Sequence, residues 1–365
     1  MVSFTPTEDQ QLLMDTINRY AVRDVRAVAH EADEASEPPL NVVKIGWQIG
    51  LVPSGIPEEL GGFGELSAIT GVLAAEELAY GDLSVAMHIL TPALFAFPLV
   101  LFGTAEQRES LLPMFLEDNV APATAALLEP GVFFDPHELK TTAAIEGSAL
   151  TLNGTKAYVP LAAESEKILV YARDTVSGRV DGYIMDRDAD GLQIEKREQL
   201  MGVRALPTYR VNFNSVRLTE AARLGGAVGC DYDLILNRGQ VALAALAVGV
   251  ARASYEYARD YAKQRVQFGK PIAQNQAIAF MLAEMAIEID AARLMTWEAA
   301  WKLDQGEDAS RESYLARQYA NKTVLFAADS SLQILGGYGF IREYPAERWL
   351  RNGRGFPTFD GMAII

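Results

Sequence analysis

Gln333-Ile-Leu-Gly-Gly-Tyr-Gly-Phe-Ile-Arg-Glu-Tyr-Pro-Ala-Glu-Arg-Trp-Leu-Arg351 closes a long helical pattern and decides how the rest of the chain is read. The pattern runs from Ser310 to Leu335, and Gly336-Gly337 supplies its C-terminal stop. Two more helical stretches precede it: a strongly periodic one from Asn275 to about Leu303, and an Ala-rich one from Gln240 to Arg265. Continuous apolar faces on three long helices imply a bundle that also buries surface in an oligomer.

Between about Ala121 and Cys230 the period changes. Thr141–Ile145, Ala149–Leu152, Lys167–Ala172, Gly182–Met185 and Tyr209–Phe213 are short β-type runs, and Asn153-Gly154 reads as a hairpin signal. Before them the chain is helical again. Thr7 caps a segment from Glu8 to about Glu31, and Glu34 to Pro39 is a polar turn. A glycine-rich loop, Pro57–Gly64, precedes a helix containing Glu76-Glu77-Leu78, and a further helical stretch from Thr91 to about Glu117 breaks near Gly103. The expected architecture is mainly α with a central β domain. It comprises an N-terminal helical domain (1–120), a small antiparallel β domain (121–230) and a C-terminal four-helix bundle (231–365).

The chain has 365 residues, 50% hydrophobic and 22% charged, with a net charge of −16. That is ordinary globular composition. The negative field disfavours nucleic acid and anionic membrane surfaces as partners. Cys230 is the single cysteine, and His30, His88 and His137 are scattered, which argues against a disulfide or a metal centre; each His reads as a surface or cap residue. The N-terminus lacks the basic and apolar regions of a signal peptide, and the longest apolar stretch, Val241–Val250, is about half a membrane span. A cytoplasmic location is expected.

Six motifs in order resemble the acyl-CoA dehydrogenase family across nearly the whole chain. They are Pro57-Glu-Glu-Leu-Gly-Gly-Phe-Gly64, Glu76-Glu-Leu-Ala79, Glu129-Pro-Gly131 with Leu152-Asn-Gly-Thr-Lys156, Met201-Gly-Val-Arg204, Gln264-Arg-Val-Gln-Phe-Gly-Lys-Pro271, and the block quoted first. The resemblance implies FAD lying between the β domain and the bundle. It also implies a carboxylate that removes the α-proton of an acyl-CoA substrate while the β-hydride passes to the flavin. An electron-transfer flavoprotein is the implied redox partner.

The resemblance makes Arg265, Phe268, Gln333, Gly336 and Gly337 cofactor-binding residues that meet a flavin from a neighbouring subunit. All are intact. An arginine fork suits a diphosphate, and glycines admit close backbone approach. A helix C-cap beside a salt-bridged arginine is the plain alternative. The β-domain half departs from the family. Leu128 stands where a Thr is usual, and Val132-Phe133-Phe134-Asp135 replaces a Gly-Ser-Asp triplet. Tyr158-Val159-Pro160 replaces a Trp-Ile-Thr element; Tyr158 retains a ring that can stack on the flavin, while Pro160 offers neither hydroxyl nor N–H. Each lost donor costs about 0.5–1.5 kcal/mol of net binding. Phe133 and Phe134 read as pocket-lining or core aromatics.

Asp360, in Phe359-Asp-Gly-Met362, is the one carboxylate at a family base position and the candidate catalytic base. Compared with the usual Glu it is withdrawn by roughly 1.5 Å. The family's alternative base position is Gly239, followed by Gln240 where an Arg is usual; Arg351-Asn-Gly-Arg354 replaces Arg-Asp-Ala-Arg. Three readings remain open. In the first, the chain is one subunit of a heteromeric (α2β2) enzyme of the steroid-thioester type, sharing FAD across an interface with a homologous subunit. In the second, it is a self-sufficient homotetrameric dehydrogenase or oxidase using Asp360. In the third, it is a flavin monooxygenase or non-catalytic protein on the same fold.

Overall fold

A computed structural model describes residues 5–146 and 149–365, so part of the N-terminal reading, Met1 to Phe4, lies outside the described residues. The Thr7 hydroxyl accepts from the Gln10 N–H at 3.2 Å while the Gln10 side chain accepts from the Thr7 N–H at 2.9 Å. This capping box starts α1 (Glu8–Tyr20). A π-helical turn, Ala21–Val25, carries the helix without interruption into α2 (Arg26–Ala35). Ser36, in the left-handed region at φ 56°, ends it. Ser67 caps α3 (Ala68–Gly81), and Asp82 caps α4 (Leu83–Leu90), which leads into α5 (Ala93–Phe102).

Leu83–Phe102 and Tyr232–Gln264 are long and apolar enough to cross a membrane, and 89% of each apolar window is buried inside the protein. The second contains the Val241–Val250 stretch; the first is broken by polar residues such as His88 and Thr91. Their apolarity is spent on the core. His88, on α4, corrects another expectation: it is neither a surface nor a cap residue but is buried, with Nδ1 unpaired among the described residues. Burial lowers its pKa to about 4, so its imidazole stays neutral.

The central sheet contains β1 (Ala123–Ala126), β2 (Thr142–Glu146), β3 (Ala149–Pro160), β4 (Lys167–Asp174), β5 (Val180–Asp186), β6 (Leu192–Ile194) and β7 (Thr208–Thr219). Four pairings are antiparallel: β2–β3, β3–β7, β4–β5 and β6–β7. Two are parallel, because β1 and then β2 run along one edge of β4. The sheet is therefore mixed rather than wholly antiparallel. The long excursion before β2 (127–141) brings the chain back in the same direction, and antiparallel β3, lying between β2 and β4 in sequence, leaves those two strands parallel.

Asn153-Gly154 also departs from expectation. It lies inside continuous β3 at a register shift opposite β7, forming a bulge rather than a hairpin turn. Asn153 Oδ1 accepts from the Ser215 N–H at 2.9 Å, and Gly154 sits at φ 148° with no room for a Cβ, which would lie 2.5 Å from Thr141 Oγ1.

The bundle contains α6 (Tyr232–Gln264), α7 (Gln276–Asp304), α8 (Ser310–Leu335) and the shorter α9 (Ala346–Gly355). α3 packs across α6 and α7. At Gly249 of α6 the two backbones nearly touch: a Cβ there would lie 2.3 Å from Glu76 O and 2.9 Å from Ala79 Cβ. One turn on, Arg252 donates to Glu76 at 2.9 Å and to Glu77 at 2.6 and 2.7 Å, and Arg293 of α7 reaches Glu76 at 3.0 Å. Gly249→Ala should therefore destabilise the fold by about 1–3 kcal/mol through overpacking. A lower urea midpoint at unchanged m-value checks this.

Candidate functional site

The segment after α9 turns through Phe356–Thr358 and delivers Asp360 to the seam between the sheet and the bundle. Phe356 and Phe359 pack edge to face at 5.5 Å. Arg317 of α8, fully buried, donates to the Phe356 carbonyl and, at 2.6 Å, to Asn321 Oδ1. Gly361 has φ 74°, and a Cβ would lie 2.5 Å from Leu127 Cβ, so the residue after the carboxylate has to be glycine.

Asp360 lines a narrow pocket of about 30 Å³. Leu94, Leu127, Leu236, Leu243 and Ile364 make it apolar, and Gly239, Gln240 and Tyr171 share its wall. The pocket thus brings Asp360 beside the alternative base position, Gly239. Burial raises the Asp360 carboxyl above its ordinary value, offset in part by the Arg317 guanidinium. Burial brings Arg317 down to about 10, so it remains charged at neutral pH. A partly buried carboxylate with a raised pKa is suited to proton transfer.

A second feature lies elsewhere on the bundle. Arg265, Phe268, Gly336 and Gly337 line one open groove of about 560 Å³ with Tyr261, Ile334 and Tyr338. The Arg265 guanidinium sits 5.4 Å from the Tyr338 ring centre and has no carboxylate partner among the described residues, so the salt-bridge alternative does not hold. Phe268 is 98% exposed with φ 54°, and a Cβ on either glycine would meet nothing within 4 Å. Gln333 is exposed one turn before the glycines, outside the groove lining.

Tyr158 joins neither cavity. It is half-buried at φ 52°, packs on the main core, and donates its N–H to Glu198 at 3.1 Å. Phe133 is 94% exposed, and Phe134 packs on a second core cluster; neither lines the Asp360 pocket. Glu129 and Lys156 form a buried pair at 2.9 Å, with Lys156 also donating to Leu127 O at 2.8 Å. Burial lowers the Lys156 ammonium to about 8. Their motifs hold the loop together. Sequence reasoning missed Arg317 and Tyr171, which sit inside apolar periodic runs and carry no motif of their own.

Comparison with known proteins identifies the fold. Models of the N-terminal, middle and C-terminal domains of acyl-CoA dehydrogenases match residues 7–119, 124–216 and 233–363 in that order. The chain belongs to the acyl-CoA dehydrogenase family of FAD-dependent oxidoreductases. It is 33% identical to a 3-(aryl)acrylate reductase of Clostridium sporogenes, over 98% of this chain and 96% of that protein. It is 31% identical to the bovine mitochondrial short-chain specific acyl-CoA dehydrogenase, over 98% of this chain and 88% of the relative. The structure of butyryl-CoA dehydrogenase from Megasphaera elsdenii matches with a TM-score of 0.90 at 28% identity, covering 98% of this chain and 96% of that one.

For FAD, the groove offers an unpaired guanidinium fork, an exposed ring and open glycine backbone, chemistry that fits a dinucleotide's diphosphate and adenine. The chain's own β domain fits poorly. Leu128 is apolar and buried, Phe133 projects into solvent, Pro160 has no N–H, and the Tyr158 N–H is already used by Glu198.

The raised pKa of Asp360 has a sign that stability measurements reveal. In the folded protein the ionised form is penalised, so stability is lost as pH rises through the ordinary value of 3.8 toward the raised one. Asp360→Asn should therefore melt above the wild type at pH 7–8, with the gap closing below that ordinary value. Parallel melting curves at all pH values would refute this.

Proposed function

We propose that the protein takes part in α,β-dehydrogenation of a short acyl-CoA thioester, with Asp360 as the base. The observation that supports this is the desolvated Asp360 carboxylate, held by a buried arginine's grip on the turn before it, at the wall of an apolar pocket. The pocket orients the acyl group and excludes water, Asp360 takes the Cα proton, and the Arg317 charge opposes the burial-driven rise of the carboxyl's pKa. Bound FAD supplies the hydride acceptor for the Cβ hydrogen. The likeness to an acrylate reductase and to a short-chain dehydrogenase supports chemistry on a carbon–carbon bond beside a carboxyl carbon.

We further propose that the flavin is shared, with this chain serving as one subunit of a heterotetramer. Its groove, with Arg265, Phe268, Gly336, Gly337 and the adjoining Gln333, holds the diphosphate and adenine of a flavin whose ring sits on a homologous partner. Two features support this reading: the groove has its donors free, and the chain's own β domain lacks them. The exposed stripe of Phe280, Ile287 and Leu294 on α7, one heptad apart, gives the bundle an apolar face for assembly. An electron-transfer flavoprotein would reoxidise the enzyme, in the cytoplasm.

The chain expressed alone should be colourless and acquire a flavin spectrum only when co-expressed with its homologous partner. Stoichiometric FAD in the isolated chain would favour a self-sufficient homotetramer instead. In the flavin-loaded assembly, Asp360→Asn should slow flavin bleaching by acyl-CoA about 10²–10⁴-fold. Stopped-flow absorbance measures it, and unchanged bleaching removes Asp360 from the reaction.

A further inference from the structure

The Asp360 pocket is polar at points where a plain acyl pocket has no need to be. Tyr171, on β4, is 2% exposed and lines the cavity, yet its hydroxyl makes no hydrogen bond to another described residue. Gln240, on α6, lines the same cavity, and its Oε1 is buried without a partner among the described residues. Among the described residues, the Asp360 carboxyl is hydrogen-bonded only by its own backbone N–H. Buried polar groups in folded proteins are nearly always paired, because an unpaired one loses its water and gains nothing. Here groups from the sheet and the bundle face one small space with their hydrogen-bonding capacity unspent.

Their chemistry is complementary to one substituent. A phenol buried here stays protonated, since burial pushes its pKa well up, so Tyr171 is a donor. Gln240 Oε1 is an acceptor. An alcohol is both, and satisfies the pair at once. The space is confined: about 30 Å³ is open to water-sized molecules, above the ~10–15 Å³ at which such a space first admits one.

We propose that this pocket selects a short acyl thioester carrying a hydroxyl on its distal carbon, received by Tyr171 and Gln240, rather than a plain alkanoyl group. The hydroxyl donates to Gln240 Oε1 and accepts from the Tyr171 hydroxyl, leaving Asp360 free for the α-carbon. This names the substrate class of the site and rests on the reading of the pocket as the acyl site.

The test is calorimetric binding of two CoA thioesters with equal numbers of acyl heavy atoms, 4-hydroxybutanoyl-CoA and pentanoyl-CoA, to the full chain in its purified assembly. Wild type should bind the hydroxy ligand more tightly, although an apolar pocket would favour the methyl. Tyr171→Phe and Gln240→Leu should each cut that preference by on the order of tenfold. Gln240→Leu, on the rim of α6, serves alone if Tyr171→Phe fails to fold by circular dichroism. Equal binding in wild type, or a preference unmoved by both substitutions, overturns the proposal while leaving dehydrogenation of plain acyl groups standing. Failure of both thioesters to bind overturns the acyl-site reading as well.

Discussion

Two buried carboxylates, Glu76 and Glu77, fix the position of nearly everything else. They sit where α3 crosses α6 so closely that Gly249 has no side chain, and they are held by Arg252 from α6 and Arg293 from α7. Asn18 of α1 adds a bond to Glu77 at 2.7 Å, and Tyr80 carries Arg26 and Arg252 against its ring. Breaking such a network from one side leaves a charge buried alone, which costs about 3–5 kcal/mol. Its value lies in register. It sets how far α6 slides along α3, and so where Gly239 and Gln240, three turns earlier on α6, meet the sheet.

From that register the two cavities follow. The N-terminal half of α6 forms one wall of the Asp360 pocket, and its C-terminal end, at Tyr261 and Arg265, forms part of the open groove. One rigid helix spans both. A flavin lodged in the groove and a substrate lodged beside Asp360 are therefore separated by most of the helix's length within one chain. On the proposal of a shared flavin, it is a neighbouring chain that brings the two together. On that proposal assembly is a condition of chemistry, and the groove serves a flavin that this chain's own β domain fits poorly.

The sequence made the α–β–α order legible because the hydrophobic period switches cleanly near Ala121 and again after Cys230, and helix starts such as Thr7 carry their caps openly. Asn153-Gly154 misled, because a bulge and a hairpin ask for the same backbone freedom and only the partner strand distinguishes them. Parallel pairing of β1 and β2 with β4 leaves no local mark in composition. His88 looked like a surface residue because single-residue statistics ignore a helix buried on all sides. Asp360 and the groove were found through their motifs. Arg317, Tyr171 and the unpaired state of Gln240 are products of tertiary packing, and nothing in their neighbours along the chain announces them.

Packing fixes where Asp360 sits. The carboxylate is carried on a tight turn through Phe356–Thr358, held by Arg317 on the Phe356 carbonyl and closed by Gly361 against Leu127. The same arginine acts electrostatically. Burial alone would favour the protonated acid, useless as a base; the guanidinium opposes that shift without forming a salt bridge that would tie the carboxylate down. Arg317 is thus placed to hold the turn through its hydrogen bonds and the ionisation state through its charge. A carboxylate whose ionised form is penalised by burial costs the fold stability, and the fold bears that cost at the position where proton transfer would need it.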